Sequence, residues 1–285
     1  MKILYLTNGE NCDYQADMLF HGLVTLGMEV FDIEPMWFMY QGIDRSKLYG
    51  KGFSLYGLLP KIPEISISET LIAEKFFDLV IYGSCHRCLD RWELVSKVYP
   101  PEKIVFIDGE DNMQLRQELI GRGHYFKREL YYVLEAPGGL PGLHPIQFAI
   151  PEEKLQPRSP KQREMALLTP FDIKTYIYDS EQAYYDGYSE SRFAVTVKKA
   201  GWDCMRHYEI MACNCIPWFR NLDWCPPRIM ENLPKRELIA VAKLLESGIK
   251  IPDSLWEEVN EHCQAALRNR LTTTALAKYV LERVL

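Results

Sequence analysis

The first half of the chain alternates short apolar, β-branched runs with amphipathic stretches, and no other pattern restricts the fold as much. The runs fall at 2–7, 29–34, 78–82 and 103–107. Between them, 16–26 sets Met18, Leu19, Leu23 and Leu26 at helical spacing, and 69–77 and 91–98 also read as helices. Strands separated by helices pair in parallel, and a parallel sheet needs helices on both faces. Gly27 stands where the first helix needs a left-handed residue to end. The expected fold class is α/β, beginning with a Rossmann-like domain.

Residues 145–160 hold four prolines (Pro145, Pro151, Pro157, Pro160) among several charges, a composition suited to an extended connector. The domain boundary is therefore placed near 155, with an N-terminal domain over 1–155 and a C-terminal one over 156–285. The second half restarts the alternation. Strands are expected at 164–169, 192–197 and 216–219, and helices at 180–188, 204–212, 235–245, 254–269 and 272–285. A length of 285 residues is more than one core usually serves.

Composition removes several function classes. A hydrophobic share of 47% and a charged share of 25% are those of an ordinary folded domain. No apolar run approaches the roughly 18 residues that cross a bilayer, so no membrane span is expected. The apolar start turns polar at Asn8, Glu10 and Asp13, which is short for a secretory signal and reads as a buried strand. A net charge of −6 argues against nucleic acid as a partner. Eight cysteines in such a length make no dense disulfide framework, which favours a reducing, cytoplasmic setting. Cys85-His86-Arg87-Cys88 has zinc-compatible spacing, and Cys213-Asn214-Cys215 can in principle complete four ligands. Neither has a knuckle-like setting, so the reading is buried free thiols and no metal.

The expected strand ends carry polar loops: Asn8-Gly9-Glu10-Asn11, Gly83-Ser84-Cys85-His86 and Asp108-Gly109-Glu110-Asp111. Ligands of open α/β sheets bind beyond the carboxyl ends of strands, so three polar loops can converge on one cleft. The alternative is ordinary turn chemistry and helix capping. If a base is needed, Asp108, Glu110, Asp111 and His86 are candidates, with Asp108 or Asp111 preferred. Carboxylates so close in sequence repel one another, a setting that suits proton transfer, or else they form a solvated turn capping a helix from Asn112. Trp37, Phe38, Tyr40, Phe53 and Tyr56 cluster near Lys51 and the glycines Gly50, Gly52 and Gly57. This is either an acceptor-binding loop, through Lys51, Phe53 and Tyr56, or an aromatic patch packing the domains together.

The most informative segment is 191–219, SRFAVTVKKAGWDCMRHYEIMACNCIPWF. It reads as strand, loop, helix, strand. Gly201-Trp202-Asp203 offers a turn and an N-cap, and the helix N-terminus that follows suits a diphosphate. Arg206 in the first turn can add a bidentate contact. Glu209, three residues on, shares its face and can accept bonds from ribose hydroxyls. Lys198 and Lys199 add charge at the strand end. The plainer alternative is an exposed Arg206–Glu209 ion pair.

This segment resembles the donor-binding motif of GT-B glycosyltransferases of the exostosin-like and group 1 types. The matching residues are Ser191, Phe193, Gly201, Arg206, Glu209, Cys215, Ile216 and Pro217, within about 30 residues. Asn214 replaces the glycine usual before Cys-Ile-Pro, and asparagine is the next-best residue for a left-handed helix end. The resemblance implies two Rossmann-like domains with a cleft between them. It also implies a nucleotide-sugar donor, expected to be a UDP-sugar, bound by the C-terminal domain through Lys198, Lys199, Gly201, Arg206 and Glu209. No cofactor or metal is then obligatory, and the acceptor is a glycan or other hydroxyl compound. The alternatives are a non-catalytic nucleotide- or sugar-binding protein of the same fold, or a transferase acting on nucleic-acid bases.

Overall fold

The computed structural model describes residues 1–33, 35–48, 51–60, 68–131 and 141–285. Glu34, the last residue of one expected strand, and Gly50, in the aromatic loop, lie outside the described residues.

The first sheet contains β1 (Lys2–Leu6), β2 (Glu29–Asp32), β3 (Leu79–Tyr82), β4 (Ile104–Asp108), β5 (His124–Lys127) and β6 (Leu143–Pro145), all parallel, in the order β2-β1-β3-β4-β5-β6. Alternate residues of the central strands enter two separate cores, as the two-residue period of a strand requires. Ile3, Tyr5, Leu79, Ile81, Val105 and Ile107 face one, while Leu4, Leu6, Val80, Tyr82, Ile104 and Phe106 face the other. Helix α1 (Tyr14–Thr25) covers the first face; Ile72 of α2 (Glu69–Ala73) and Val95 of α3 (Trp92–Val98) cover the second. Strand order reverses between β1 and β3, the switch point where such sheets open a crevice.

The second sheet has three parallel strands, β7 (Arg163–Met165), β8 (Ser191–Thr196) and β9 (Ile216–Phe219), in that order. Its helices are α4 (Glu181–Ser189), α5 (Met205–Ala212), α6 (Lys235–Glu246) and α7 (Asp253–Arg270). Asn214 takes φ +51° between α5 and β9, the left-handed conformation that its place in the sequence calls for.

The chain leaves the first half beside Ile150 and comes back beside it. Ile150 N–H donates to the Leu271 carbonyl at 2.9 Å, and Thr273 N–H to the Ile150 carbonyl at 3.0 Å. Helix α8 (Thr273–Val284) then lies along α1, so close that a Cβ on Gly22 would stand 1.9 Å from the Thr273 carbonyl oxygen. One core cluster holds side chains from both sheets. The expected α/β architecture of parallel strands is present. Strands β5 and β6 were not foreseen, and no α-helix starts at Asn112, where the chain instead bends toward a 3₁₀ turn at Gln117–Leu119.

Candidate functional site

The carboxyl ends of both sheets border one cleft of about 800 Å³. From the first sheet it receives Cys12, Asp13 and Tyr14 after β1, Gly109 and Asp111 after β4, Arg128 after β5 and Phe148 after β6. From the second come Leu168, Tyr176 and Tyr178 after β7, then Lys199, Gly201 and the first turns of α5 after β8. Of the residues singled out in the sequence, Lys51, Phe53, Asp111, Lys199, Gly201, Arg206 and Glu209 meet here, whereas Asp108, His86, Lys198 and Tyr56 do not line it.

Arg206 is the unusual member. It is only 8% exposed, and its Nε and Nη1 are buried without a hydrogen-bond partner. Its Nη2 donates to the Tyr176 hydroxyl at 3.1 Å, with that ring 5.7 Å away. Among the described residues no carboxylate forms an ion pair with it, so the exposed Arg206–Glu209 pair does not exist. A buried guanidinium with two idle donors is costly unless something else meets it. Helix α5 starts beside it without a side-chain cap. The N-cap is Cys204, not Asp203, whose Oδ2 accepts from Phe148 N–H at 2.6 Å and whose Oδ1 accepts from the Tyr208 hydroxyl at 2.8 Å. Orphan N–H groups and a buried cation thus share one wall of the cleft.

Glu209 lies on the same helix, buried, with both oxygens engaged. Ser54 Oγ donates to Oε1 at 2.5 Å and the Tyr184 hydroxyl to Oε2 at 2.6 Å. Burial raises its carboxyl above the ordinary range, against the pull of these two bonds and of the Arg206 charge. Each carboxylate oxygen has two lone pairs, so acceptor capacity remains for a ligand hydroxyl. Ser54 also accepts from the Tyr185 hydroxyl at 2.7 Å, and its N–H donates to Glu181 at 3.0 Å. The aromatic loop therefore fastens one half of the molecule to the other. Phe53 reaches the cleft, packed against Tyr184, and Lys51 sits at its rim paired with Asp179 at 3.2 Å. Tyr56, expected beside an acceptor, is 1% exposed and donates to buried Asp17 at 2.9 Å, so its ring belongs to the core.

Another part of the cleft wall is built around Arg128, which the sequence did not reveal. Its guanidinium donates to the Gly109 carbonyl, the Asp203 carbonyl and Asp111, and stacks 4.4 Å from the Phe148 ring centroid. It ties the loop after β4 to the entry of α5. Gly201 makes that closeness possible, since a Cβ there would lie 2.7 Å from Glu129 Oε1 and 2.8 Å from Asp111 Oδ1.

The three carboxylates of the Asp108 loop do not confront one another, because each has its own cation or imidazole. Asp108 is 1% exposed and accepts from Lys127 Nζ at 2.9 Å and the Tyr125 hydroxyl at 2.5 Å. Register makes the first bond, because β4 and β5 pair Asp108 with Lys127. Glu110 faces His86 Nε2 at 3.2 Å, and Asp111 pairs with Arg128 while half exposed on the cleft. His86 Nε2 also meets Asp13 at 3.3 Å, at the β1/β3 switch point. Burial lowers the His86 pKa, although Asp13 and Glu110 pull the other way, and Nδ1 is left without a partner. Asp13 itself caps α1, accepting from Gln15 and Ala16 N–H, and receives the Ser84 hydroxyl at 2.6 Å. Lys198 is exposed beyond the cleft and donates to the Ala200 carbonyl at 3.1 Å.

The cysteine clusters fall on different sheets, Cys85 and Cys88 after β3, Cys213 and Cys215 before β9, and all four are buried with no disulfide formed. Among the described residues no group of three or more His, Cys, Asp and Glu is placed to hold a metal ion. No helix there is long and apolar enough to cross a membrane. No known family model matches the sequence, and no curated protein is similar enough to stand as a relative.

Proposed function

We propose that the cleft binds a nucleotide-sugar, by preference a UDP-sugar, and that the protein transfers the sugar to a hydroxyl of a glycan or similar acceptor. The observation that carries this reading is Arg206, a buried cation whose Nε and Nη1 nitrogens are unpartnered, beside an uncapped helix N-terminus. A diphosphate supplies the acceptors that both lack. Lys199 adds a further positive charge at the rim, so leaving-group charge is met without calling on a metal. Glu209 and Tyr184 suit ribose hydroxyls, and Phe53 and Phe148 offer apolar faces to sugars or bases.

In the reaction the acceptor oxygen attacks the anomeric carbon, the bond from that carbon to the diphosphate oxygen breaks, and the electron pair leaves with the diphosphate. Asp111 is the group best exposed to take the acceptor proton. Only Oδ1 is bound, to Arg128, and the side chain faces the cleft. Asp108, already bonded by Lys127 and Tyr125, serves to fix that loop.

Calorimetry in EDTA with UDP, other nucleoside diphosphates and their sugars tests the binding. Heat that disappears in Arg206→Met supports the site, and no heat with any of them removes it. Slow hydrolysis of a bound nucleotide-sugar separates an enzyme from a protein that only binds.

A further inference from the structure

Apolar side chains are exposed unevenly over this molecule. Nine large ones stand open to solvent among the described residues, and six follow two strands of the three-stranded sheet. Leu167, Phe171, Ile173, Tyr176 and Ile177 follow β7, and Trp224 follows β9. Because β7, β8 and β9 are parallel neighbours, all these segments leave the sheet at one edge, and the loop after β8 between them carries Lys198 and Lys199. Phe171 is 62% exposed, Ile173 80% and Trp224 75%.

The charge of this edge is opposite to that of the whole chain. Lys174, Lys198, Lys199 and Arg220 are exposed, and among the described residues none has a carboxylate within ion-pair reach. Three carboxylates lie nearby. Asp172 caps the turn at Ile173–Thr175, Asp179 is paired with Lys51, and Asp223 is the one left over. Unpaired cations interleaved with exposed Phe, Ile and Trp, on loop tips and in a chain of net charge −6, match the requirements of a bilayer interface. Apolar tips enter the headgroup boundary while the cations meet anionic lipid.

We propose that this edge docks the protein on an anionic lipid surface. Tyr176 belongs both to the edge and to the wall of the cleft, where it holds Arg206, so docking brings the cleft mouth against the headgroups. The proposal does not depend on the transferase reading, because it is measured without any reaction.

The test is co-sedimentation with phosphatidylcholine vesicles containing about one-third phosphatidylserine, against phosphatidylcholine alone. The protein is expected to pellet with the anionic vesicles, and to be released by high salt. Each cation near such a surface is worth about fivefold in partitioning, so Lys174→Gln with Arg220→Gln should weaken it about 25-fold. Phe171→Ser with Ile173→Ser should weaken it at least about tenfold. These side chains are exposed, so unchanged melting of both variants verifies the fold. Protein that stays in the supernatant with anionic vesicles overturns the proposal. So does pelleting that both double variants retain, or a dimer in solution that Phe171→Ser with Ile173→Ser dissociates.

Discussion

Lys127 in the first sheet and Arg206 on α5, beside the second, are both withdrawn from water, but their surroundings differ completely. Lys127 sits directly across from Asp108 in register, and the Tyr125 hydroxyl completes the carboxylate. Arg206 has one phenol and two idle nitrogens, Nε and Nη1. A buried charge with its complement inside the fold belongs to the structure. One whose complement is missing, on the wall of a cleft, points to something that arrives from outside.

Substitution of each cation by methionine sharpens that contrast most. Lys127→Met leaves Asp108 buried and uncompensated, and should cost about 3–5 kcal/mol in urea or thermal unfolding. Arg206→Met removes buried N–H donors that nothing in the fold meets, at the cost only of a longer-range attraction to Glu209. Its unliganded stability should hold or rise by up to about 1 kcal/mol, while affinity for UDP falls about 10- to 100-fold. If Arg206→Met unfolds like Lys127→Met, the distinction between the two cations is lost.

A neutral buried group provides the intermediate case. His207 on α5 is fully buried, with Thr196 Oγ1 2.9 Å from Nδ1 and the Trp202 carbonyl 3.0 Å from Nε2. Burial lowers its pKa to about 3. The unfolded chain takes up the proton near pH 6.5 while the folded one refuses it, so this contribution is whole above pH 6.5 and is lost as pH falls toward 3. Wild type should lose stability on acidification with a component of about 1.4 kcal/mol per pH unit, which His207→Gln removes. An unchanged slope would show that other groups set the acid limit. The smallest effect belongs to Lys51→Ala, which breaks an exposed pair with Asp179 and should change stability by less than about 0.5 kcal/mol. A larger loss would mean that Lys51 helps to hold the loop at Ser54 against Glu209.

The same contrast explains what could be read from residue order. Strand β9 and helices α5 to α8 appeared within a residue or two of their places, because their apolar spacing is regular and turn residues bound them. Strands β5 and β6 escaped because neither reads as an apolar run: His124 and Lys127 close β5 with polar residues at both ends, and His144 and Pro145 leave Leu143 as the one aliphatic residue of β6. Arg128 was lost with them. Lys127-Arg128-Glu129 reads as a solvated charge run, and only the placing of β5 against β4 turns it inward. The one available hint was three charges directly after the apolar pair Tyr125-Phe126, where a strand would end. Asp108 could be seen at a strand end, but its partner lies nineteen residues away on a strand that the pattern did not show. Arg206 needed only its own helix to be noticed. That no partner meets it inside the fold depends on packing, which no spacing rule reports.

The seam between α1 and α8 governs the order in which this molecule can be made. Gly22 admits the Thr273 carbonyl against the first helix, and Ile150 is held between Leu271 and Thr273. During synthesis the first sheet, complete at Pro145, therefore emerges with one flank of its core bare, and it stays so until more than a hundred further residues, up to α8 at Thr273, have left the ribosome. The second sheet, flanked by α5 to α7, lies wholly within the interval that keeps the first one waiting. A nascent chain stalled before Leu271 would present that bare flank to chaperones, and the last helix acts as the clasp that ends this exposure.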